Sequence, residues 1–587
     1  MFVLATKELK SILTAFICTW GLQLLFGMSV RNPLTLVFFA VFYYIGKRTG
    51  AFRPDRLSLA ALAMAAALSA CLTYLLGKRA VAGFDSSMFK LLGNLIIFVG
   101  LFVAVLEVLL CFINLNKADG KNTESEKYIK IKALDMSDGV VFVASTVICF
   151  LCWLPYFLYE YPGIMTADSI VQYEQIIGIN PLSNHHPVIH TIAIGFFYNI
   201  GLKLTGDVNR AIGFYTVAQM VFLSVCCGRV TVQVKRVLKN NPAFLFATVF
   251  FALVPFNAVF AVTIWKDVPF AGIMMLMGCR LCEMLGKKRV AGTDYIILTI
   301  LSVLMSLFRS NGWYAFLLCA PFLIWAFGKD TVKILLSVAG AIIVTVIVKG
   351  PVMNAAGIIQ PDFTESLSLP VQQVARVLVD DKEVAENDME LIKSAIDTTY
   401  IHELYAADFA DNIKELVRAG HPEIIENNKG TYLGLWMRLG AKYPLEYLKA
   451  WFDLEGGYVY PDISYEVGNI DGIMGNDYGL VSTPRIGGVA VVKGKEILIK
   501  LGSFVPLYGM LWCAGAYTWI AVAAMVLIIC KDRKWLPFAI LQAALICTLL
   551  IAAPVVDFRY EYGITMLMPL TVSICVMIMM HDTQKNA

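Results

Sequence analysis

Three histidines and the carboxylate of Asp168 lie in one polar loop between two apolar stretches of the chain. The loop, residues 159–191, contains Asp168, His185, His186 and His190, and so holds half of the six histidines in the sequence. Carboxylate and imidazole groups are common general acids and bases, and both bind metal ions. The loop is therefore the first candidate for a catalytic centre, with Asp168, His185 and His186 as its candidate catalytic residues.

The sequence after Asp168 predicts a short helix over residues 169–177. Gln172 and Gln175 follow Asp168 at four and seven residues and would share its face of that helix. A carboxylate and two amides would then converge on a bound substrate. The alternative is that Asp168 is the helix N-cap, a position that Asp favours, and the two interpretations do not exclude each other.

Pro187 suits the first position of the following helix, which would make His186 its N-cap. The adjacent histidines could relay a proton, contact a phosphate or bind a metal, or they could pack at the membrane interface with polar tips toward water. No HExxH motif or cysteine–histidine spacing indicates zinc. A divalent cation held by Asp168, His185 and His186 is an open alternative.

Further polar residues stand at the ends of apolar runs, and the candidates for substrate binding among them are Lys266, Asp267, Arg309, Asn311, Arg559 and Tyr560. Lys266 could bind a phosphate as a point charge, and Asp267 could pair with it or hold a cation. The alternative is an ion pair that anchors a helix end beside Trp265. An arginine such as Arg309 is costly beside lipid unless it meets a carboxylate or an anionic ligand.

Composition predicts an integral membrane protein, because hydrophobic residues make up 58% of the sequence and charged residues 16%. Apolar runs of about 20 residues recur, and each must satisfy its backbone hydrogen bonds internally as a helix. The net charge of +4 is spread over short loops, which does not indicate a nucleic-acid partner. We predict an all-α polytopic protein in a lipid bilayer, with about fourteen transmembrane helices.

The apolar runs divide the chain into four parts. We predict N-terminal transmembrane helices with a cytoplasmic loop, a transmembrane core, an extracytoplasmic domain and C-terminal transmembrane helices, over residues 1–138, 139–349, 350–503 and 504–587. The positive-inside rule places both termini in the cytoplasm and the loop 159–191 outside. The same rule favours a helix at 187–204 that lies on the surface or re-enters without crossing.

Residues 350–503 are too polar to cross a membrane. We predict one external domain of mixed character, with a mobile loop over 464–495, where Gly and Asp are frequent. Gln372 and Gln373 fall in a helical pattern of this domain. Together with the aromatic stretch 458–460, they are candidates for binding an acceptor.

An acidic residue in the first outer loop, followed by His-Pro at the start of the next helix, resembles the plan of the type C glycosyltransferases. These membrane enzymes, which include protein O-mannosyltransferases and lipid A aminoarabinose transferases, use polyprenyl-phosphate sugars. The matching positions are Asp168 and His186-Pro187, and Arg559-Tyr560 is similar to a pair near the late spans of some members. Several members carry an acidic pair where this chain has one acid.

A second resemblance covers most of the chain from residue 140 onward. It is to an uncharacterised family of multi-spanning bacterial membrane proteins, mostly from Gram-positive species. The motifs that carry it include Tyr161-Pro-Gly, Asn184-His-His-Pro187, Trp265-Lys-Asp267, Arg309-Ser-Asn-Gly-Trp313 and Phe558-Arg-Tyr560. This resemblance implies a protein of the bacterial plasma membrane and supplies no activity.

The type C resemblance implies a glycosyltransferase that moves a sugar from a polyprenyl-phosphate donor to an envelope glycan, lipid or protein on the outer face. Asp168 would be the base, assisted by His185 or His186, and the departing phosphate would meet Lys266, Arg309 and Arg559. The alternatives are a flippase or transporter of lipid-linked glycans, a non-catalytic envelope-assembly protein and a histidine-dependent acyltransferase. A transporter would gather polar groups near mid-bilayer, where Glu107 is the clearest charge.

Overall fold

The fold is that of a computed structural model, which describes residues 2–49, 52, 54–118, 136–239, 242–460, 471–504 and 509–585. These residues form helices joined by loops, with isolated bridges between loops and no strand. The all-α prediction is therefore confirmed. The mixed character predicted for 350–503 is wrong for its described part, because its apolar residues recur at helical spacing, as in the helix Ser368–Val379.

The first four helices are α1 to α4, with bounds Phe2–Leu25, Leu34–Arg48, Arg56–Ala80 and Ser87–Ala118. Helices α5 to α10 are Asp138–Tyr159, Ala167–Ile176, Val188–Thr205, Val208–Val237, Phe244–Leu253 and Pro255–Val262. Helices α11 to α15 are Asp267–Gly286, Gly292–Phe308, Ser310–Ala326, Thr331–Ile347 and Met353–Ala355.

The polar segment contains α16 to α22, with bounds Ser368–Val379, Glu386–Ala395, Ile401–Leu404, Asp411–Ala419, Pro422–Asn427, Lys429–Lys442 and Pro444–Glu455. A 3-10 turn, Phe363–Leu367, precedes them. The last helices, α23 to α26, are Gly488–Phe504, Ala514–Lys531, Leu536–Ala552 and Phe558–Lys585.

The chain divides into two compact units. The first comprises the described parts of 1–134, 522–533 and 574–587, and the second those of 135–521 and 534–573. Within the first unit, α1 and α4 cross closely at glycines, since a Cβ added to Gly21 would lie 2.7 Å from Cα of Gly100. Glu107 of α4 is buried there and forms an ion pair with Lys10 at 3.3 Å.

Ten described helices are long and apolar enough to cross a membrane, or eleven if α9 and α10 form one bent span. The chain is thus a multi-pass membrane protein by length and composition of its helices. The predicted number of about fourteen spans is too high by this measure. Helices α2, α12 and α13 have 15, 17 and 17 residues, fewer than the about 20 that an apolar span needs.

In the second unit, α8 runs antiparallel to α5. Lys235 in the last turn of α8 contacts Asp138, the first residue of α5, at 2.9 Å. The first residue of α8, Val208, therefore lies at the end of the unit where α5 finishes. We call this end the site face.

Helix α7 has both of its ends on the site face, although its 18 residues are long enough to cross. It starts beside His186, which contacts Lys266 in the loop that pairs with the chain after α5. It finishes at Thr205, next to the start of α8. This path agrees with the predicted surface-lying helix. A stripe of exposed apolar side chains along α7 suits a helix that rests in the membrane interface: Ile192, Phe196, Ile200 and Leu204.

Helices α9 and α10 replace the single span predicted over 243–262, with a bend of 58° between them. Pro255 opens α10 and cannot donate a backbone hydrogen bond. The Phe250 carbonyl near the end of α9 accepts from the Val254 N–H at 3.4 Å and from the Asn257 side chain at 3.0 Å, so Asn257 links the two helices across the break. The bent pair delivers Thr263 beside Ile164 in a parallel bridge.

The polar segment is joined to the site face at several loops. The backbone N–H of Asn184 donates to the Ile359 carbonyl at 2.8 Å, and that of Ala410 donates to the Pro554 carbonyl at 2.8 Å. Met165 N–H donates to Gly472 at 3.1 Å. In the loop predicted over 464–495, the backbone N–H groups of Thr483 and Arg485 also donate to the Tyr161 and Leu158 carbonyls, both at 2.7 Å. The predicted loop is too long, because α23 begins at Gly488; residues 464–470 lie outside the described residues.

Candidate active site

Asp168 lies in the first turn of α6, on a helix whose start is fastened to the loop before α11. The N-cap position is Thr166, so the alternative that Asp168 itself is the cap is wrong. Thr166 Oγ1 accepts a hydrogen bond from the indole of Trp265 at 2.8 Å, and the Ser169 hydroxyl donates to the Ile264 carbonyl at 2.6 Å. These bonds place the Asp168 carboxylate beside the residue that follows Trp265.

That residue, Lys266, connects the carboxylate to the histidines. Its Nζ lies 3.4 Å from Oδ2 of Asp168 and 3.0 Å from Nδ1 of His186. The same Oδ2 is 3.9 Å from Nδ1 of His186. Three of the residues singled out in the sequence, separated by up to 98 positions, therefore meet at one point.

Arg559 is the second cation on Asp168. It lies in the first turn of α26, and its Nη1 donates to Oδ2 of Asp168 at 3.2 Å. Asp557 fixes it, because its carboxylate forms an ion pair with Nε of Arg559 at 2.7 Å and accepts a hydrogen bond from the Arg559 backbone N–H at 3.0 Å. The charge alternation seen near the C-terminus thus forms part of the site.

Two aromatic rings hold the guanidinium groups in place. Arg559 lies over the ring of Trp265 at 4.8 Å and over that of Tyr560 at 5.1 Å. Tyr560 also contacts Arg309, whose guanidinium is 4.8 Å from the ring and forms an ion pair with buried Asp267. Arg309 and Asp267 therefore form a layer behind Arg559.

His186 is buried and His185 is half exposed. The prediction that His186 caps α7 is wrong, because Asn184 Oδ1 accepts from the Val188 N–H at 3.2 Å. His185 packs edge-on against His186, with ring centroids 4.7 Å apart. Its Nδ1 is 3.9 Å from Glu365, which links the histidine pair to the polar segment.

The two glutamines of α6 face α7 and hold it. Gln172 is buried and donates to Thr191 Oγ1 at 2.9 Å, while its Oε1 lies 2.9 Å from Nδ1 of His190. Gln175 accepts from the Ser183 N–H at 3.4 Å. These contacts give Gln172 and Gln175 a positioning role in place of the expected contact with substrate.

His190 belongs to the same buried layer, and the sequence analysis gave it no role of its own. Its Nε2 is 2.7 Å from the Tyr215 hydroxyl, which in turn lies 3.2 Å from Gln219 on α8. Gln219 donates to the carbonyl of Thr263 at 2.8 Å. This chain of hydrogen bonds supports the loop that carries Lys266. The sequence showed only that His190 lies in the same polar loop as His185 and His186.

The remaining candidates lie away from the carboxylate. Gln373 is buried in the polar segment, where it donates to the Tyr447 carbonyl at 3.2 Å and accepts from Trp436 at 2.9 Å. Gln372 is buried as well and donates to the Ala406 carbonyl. Both amides hold the segment together, so neither is presented to an acceptor. Asn311 is half buried in the first turn of α13.

Electrostatics keep Asp168 ionised. Burial alone would raise its pKa, but the positive charges of Lys266 and Arg559 outweigh burial and hold the pKa well below its usual range. Burial lowers the pKa of Lys266 to about 8, although Asp168 opposes that change. Burial, with Lys266 adding to it, lowers the pKa of His186 to about 3, so this imidazole is neutral.

The first turns of several helices converge on this cluster: α6, α7, α11, α13 and α26. Helix N-termini carry partial positive charge and unpaired N–H groups, so they favour anions. The side-chain charges balance, with the cations Lys266, Arg309 and Arg559 facing three aspartates. The partial positive charge of the helix N-termini is therefore in excess, and the site favours an anion.

A metal at the predicted position would compete with a resident cation. Lys266 Nζ lies between the two donors, 3.4 Å from Asp168 and 3.0 Å from His186. His185 points toward Glu365. Across the described ranges, no group of three or more His, Cys, Asp or Glu side chains is placed to hold a metal ion.

Comparison with known proteins identifies one family. The family of unknown function DUF6020 matches residues 177–587, which include every site residue named above from α7 onward. No curated protein and no solved structure is detectably similar to the chain.

Proposed function

The chain belongs to DUF6020, a family of unknown function, and we propose that it is a membrane glycosyltransferase that moves a sugar from a polyprenyl-phosphate donor to a cell-envelope acceptor. The observation that carries the proposal is the contact of one carboxylate with two cations. Oδ2 of Asp168 lies 3.4 Å from Lys266 and 3.2 Å from Arg559, beside membrane helices and beneath a polar segment.

This arrangement fits an inverting displacement at the anomeric carbon. The acceptor oxygen forms a bond to that carbon as its proton passes to Asp168, and the bond to the phosphate oxygen breaks with its electron pair leaving on the phosphate. The carboxylate loses one negative charge as the departing phosphate gains one. The site can therefore keep its charge balance if Lys266 and Arg559 move from Asp168 to the phosphate.

The low pKa of Asp168 gives the donor a role in activating the base. A carboxylate held by two cations is a weak base, because the cations stabilise its ionised form. A donor phosphate that draws Lys266 and Arg559 toward itself would raise the basicity of Asp168 only when the donor is bound. The rings of Trp265 and Tyr560 lie 4.8 Å and 5.1 Å from the Arg559 guanidinium and would limit its movement to a short range.

The charge distribution of the second unit supports an outward-facing site. Basic residues cluster at the helix ends opposite the site face, among them Lys235, Arg236, Arg280, Lys287 and Lys333. Basic loops favour the cytoplasmic side. We therefore propose that the site face, with the polar segment, lies outside the bacterial plasma membrane. Cytoplasmic termini remain a prediction of the positive-inside rule.

Sugar transfer by the purified protein in lipid nanodiscs tests the proposal. Radiolabelled polyprenyl-phosphate sugars are offered with envelope glycan, lipid and peptide acceptors, and the wild type is compared with Asp168→Asn. Asn has nearly the same shape as Asp but cannot act as the base, so the variant should transfer sugar at least about 100-fold more slowly. Asp477→Asn, an exposed change on the same face, is the matched control and should transfer as the wild type does.

Two outcomes would count against the proposal. If Asp168→Asn transfers sugar at the wild-type rate, Asp168 is not the base, although the protein is still a glycosyltransferase. Absence of transfer with every donor, with donor binding intact, would favour a transporter of lipid-linked glycans.

A further inference from the structure

A cavity of about 360 Å³ opens in the polar segment, away from Asp168. Its walls come from the turn Phe363–Leu367 and from helices α16, α17, α19, α20 and α21. The lining is aliphatic and aromatic, and includes Leu367, Val374, Ile392, Val417, Tyr432 and Trp436. The cavity is at the small end of the about 300–1,000 Å³ range of ligand pockets, which suits a single chain.

The polar atoms of the lining aromatic residues are already engaged in the wall. The Tyr432 hydroxyl lies 3.0 Å from both the Leu391 carbonyl and the Ser394 hydroxyl. The Trp436 indole donates to Gln373 at 2.9 Å. An apolar cavity of this kind holds water poorly, because a buried water needs two or more polar partners.

Lys429 is the one charged residue of the lining. It lies exposed at the start of α21, with its Nζ 4.6 Å from the centroid of the Phe363 ring. Among the described side chains, no carboxylate lies within ion-pair distance of it. The cavity thus offers an apolar interior and a single cation with free hydrogen-bond donors at its edge.

We propose that this cavity binds one anionic amphiphile, with its single apolar chain inside and its phosphate or carboxylate on Lys429. Charge complementarity selects the anion, because the cavity presents no other polar group to a ligand. The cation is already held over Phe363, so less of its freedom is lost on binding.

The turn that lines the cavity also reaches the candidate active site. Phe363 and Leu367 face the cavity, while Glu365 between them is 3.9 Å from His185. Lys414 and Arg418 pair with Glu365 and fix the turn. Resting on the proposed function, the amphiphile would be the acceptor, delivered to the site beside the histidine pair; binding itself does not depend on that function.

Photolabelling with mapping of the adducts tests the proposal without interference from partition into lipid. The full chain in phosphatidylcholine nanodiscs is irradiated with a dodecyl phosphate that carries a diazirine on its chain. Adducts are located by proteolysis and mass spectrometry. We expect them in peptides that contain residues 363–374 and 425–436, and excess dodecyl phosphate should compete at least about fivefold better than dodecyltrimethylammonium.

Two variants test the apolar cavity and the charge of Lys429 separately. Val374→Trp should fill the cavity and abolish these adducts. Lys429→Glu, at an exposed position that does not threaten folding, should weaken labelling about fivefold, while Lys393→Glu on neighbouring α17 should not. Adducts confined to the membrane helices, equal competition by the cationic amphiphile, or labelling indifferent to both variants would overturn the proposal. Because the readout is a mapped adduct, failure of sugar transfer would leave this result intact.

Discussion

The ammonium group of Lys266 lies 3.0 Å from Nδ1 of His186. An ammonium group only donates hydrogen bonds, so Nδ1 of His186 must accept and the imidazole must carry its proton on Nε2. The lowered pKa of His186, about 3, agrees with a neutral ring. His186 therefore orients Lys266 between itself and Asp168, and a proton relay through its Nδ1 would first require Lys266 to move.

The charge of Lys266 predicts an alkaline limit to activity. Burial lowers its pKa to about 8, so the ammonium form is present below that pH and is lost as the pH rises through it. If the cation neutralises the departing phosphate, transfer by the wild type should fall above about pH 8. Lys266→Arg keeps its charge and should retain transfer to about pH 9.5, because arginine stays protonated.

The pH profile of initial transfer rates between pH 6 and pH 9.5 checks this expectation. Lys203→Arg changes an exposed lysine in the last turn of α7 and should show the wild-type profile. An alkaline limb that persists in Lys266→Arg would show that another group controls it.

Tyr560 holds two guanidinium groups through its ring. The ring centroid lies 4.8 Å from the guanidinium of Arg309 and 5.1 Å from that of Arg559. The Tyr560 hydroxyl makes a long hydrogen bond of 3.4 Å with Nη2 of Arg559. Tyr560→Leu removes both ring contacts and should lower kcat/KM for transfer about tenfold, the effect of losing about 1.4 kcal/mol. Tyr560→Phe keeps the ring and should lose less than about threefold. Equal losses in the two variants would assign the effect to the hydroxyl.

The sequence was sufficient to choose the polar residues that meet at the site, but not to pair them. Asp168, His186, Lys266 and Arg559 each stand at a helix end beside an apolar run, a position that lipid makes costly without a partner. The glutamines could not be assigned in the same way. Helical periodicity placed Gln172 on the face of Asp168, and only the packing of α7 shows that its amide is used by Thr191 and His190.

The number of spans shows a second limit of the sequence. Apolar length predicts a helix, but it does not say whether the helix runs through the membrane or along it. For α7, the distribution of basic loops favoured a helix that does not cross, and the tertiary contacts agree, since His186 and Thr205 at its two ends lie on the same face. The bend at Pro255 was not predicted either, because the apolar run continues through it and apolar length does not show a bend of 58°.

Glu455 predicts a pH-dependent stability that is independent of catalysis. It is fully buried at the end of α22, and burial raises its pKa to about 9 from 4.5. The protonated form therefore stabilises the fold fully below pH 4.5, and this contribution is lost as the pH rises toward 9. Glu455→Gln has no group that ionises here, so its stability should not fall in this way. The difference in unfolding free energy between the variant and the wild type should therefore grow in favour of the variant between pH 5 and pH 8, by at most about 1.4 kcal/mol per pH unit.

Apparent unfolding temperatures in nanodiscs at pH 5 and pH 8 measure this difference. Glu390→Gln, at an exposed position on α17, is the control and should track the wild type at both values. A wild type and Glu455→Gln that lose stability in parallel would indicate that Glu455 is ionised in the fold.

The path of α7 predicts which residues can be labelled from outside the cell. Its flanking positions Asn180 and Lys203 are exposed and lie on the site face, whereas Lys288 lies in the loop between α11 and α12 at the opposite end. In a cysteine-free background, Asn180→Cys and Lys203→Cys should both react with a membrane-impermeant maleimide in intact cells. Lys288→Cys should react only after permeabilisation. If α7 crossed the membrane, Asn180→Cys and Lys203→Cys would react from opposite sides, and if the site faced the cytoplasm, only Lys288→Cys would react in intact cells.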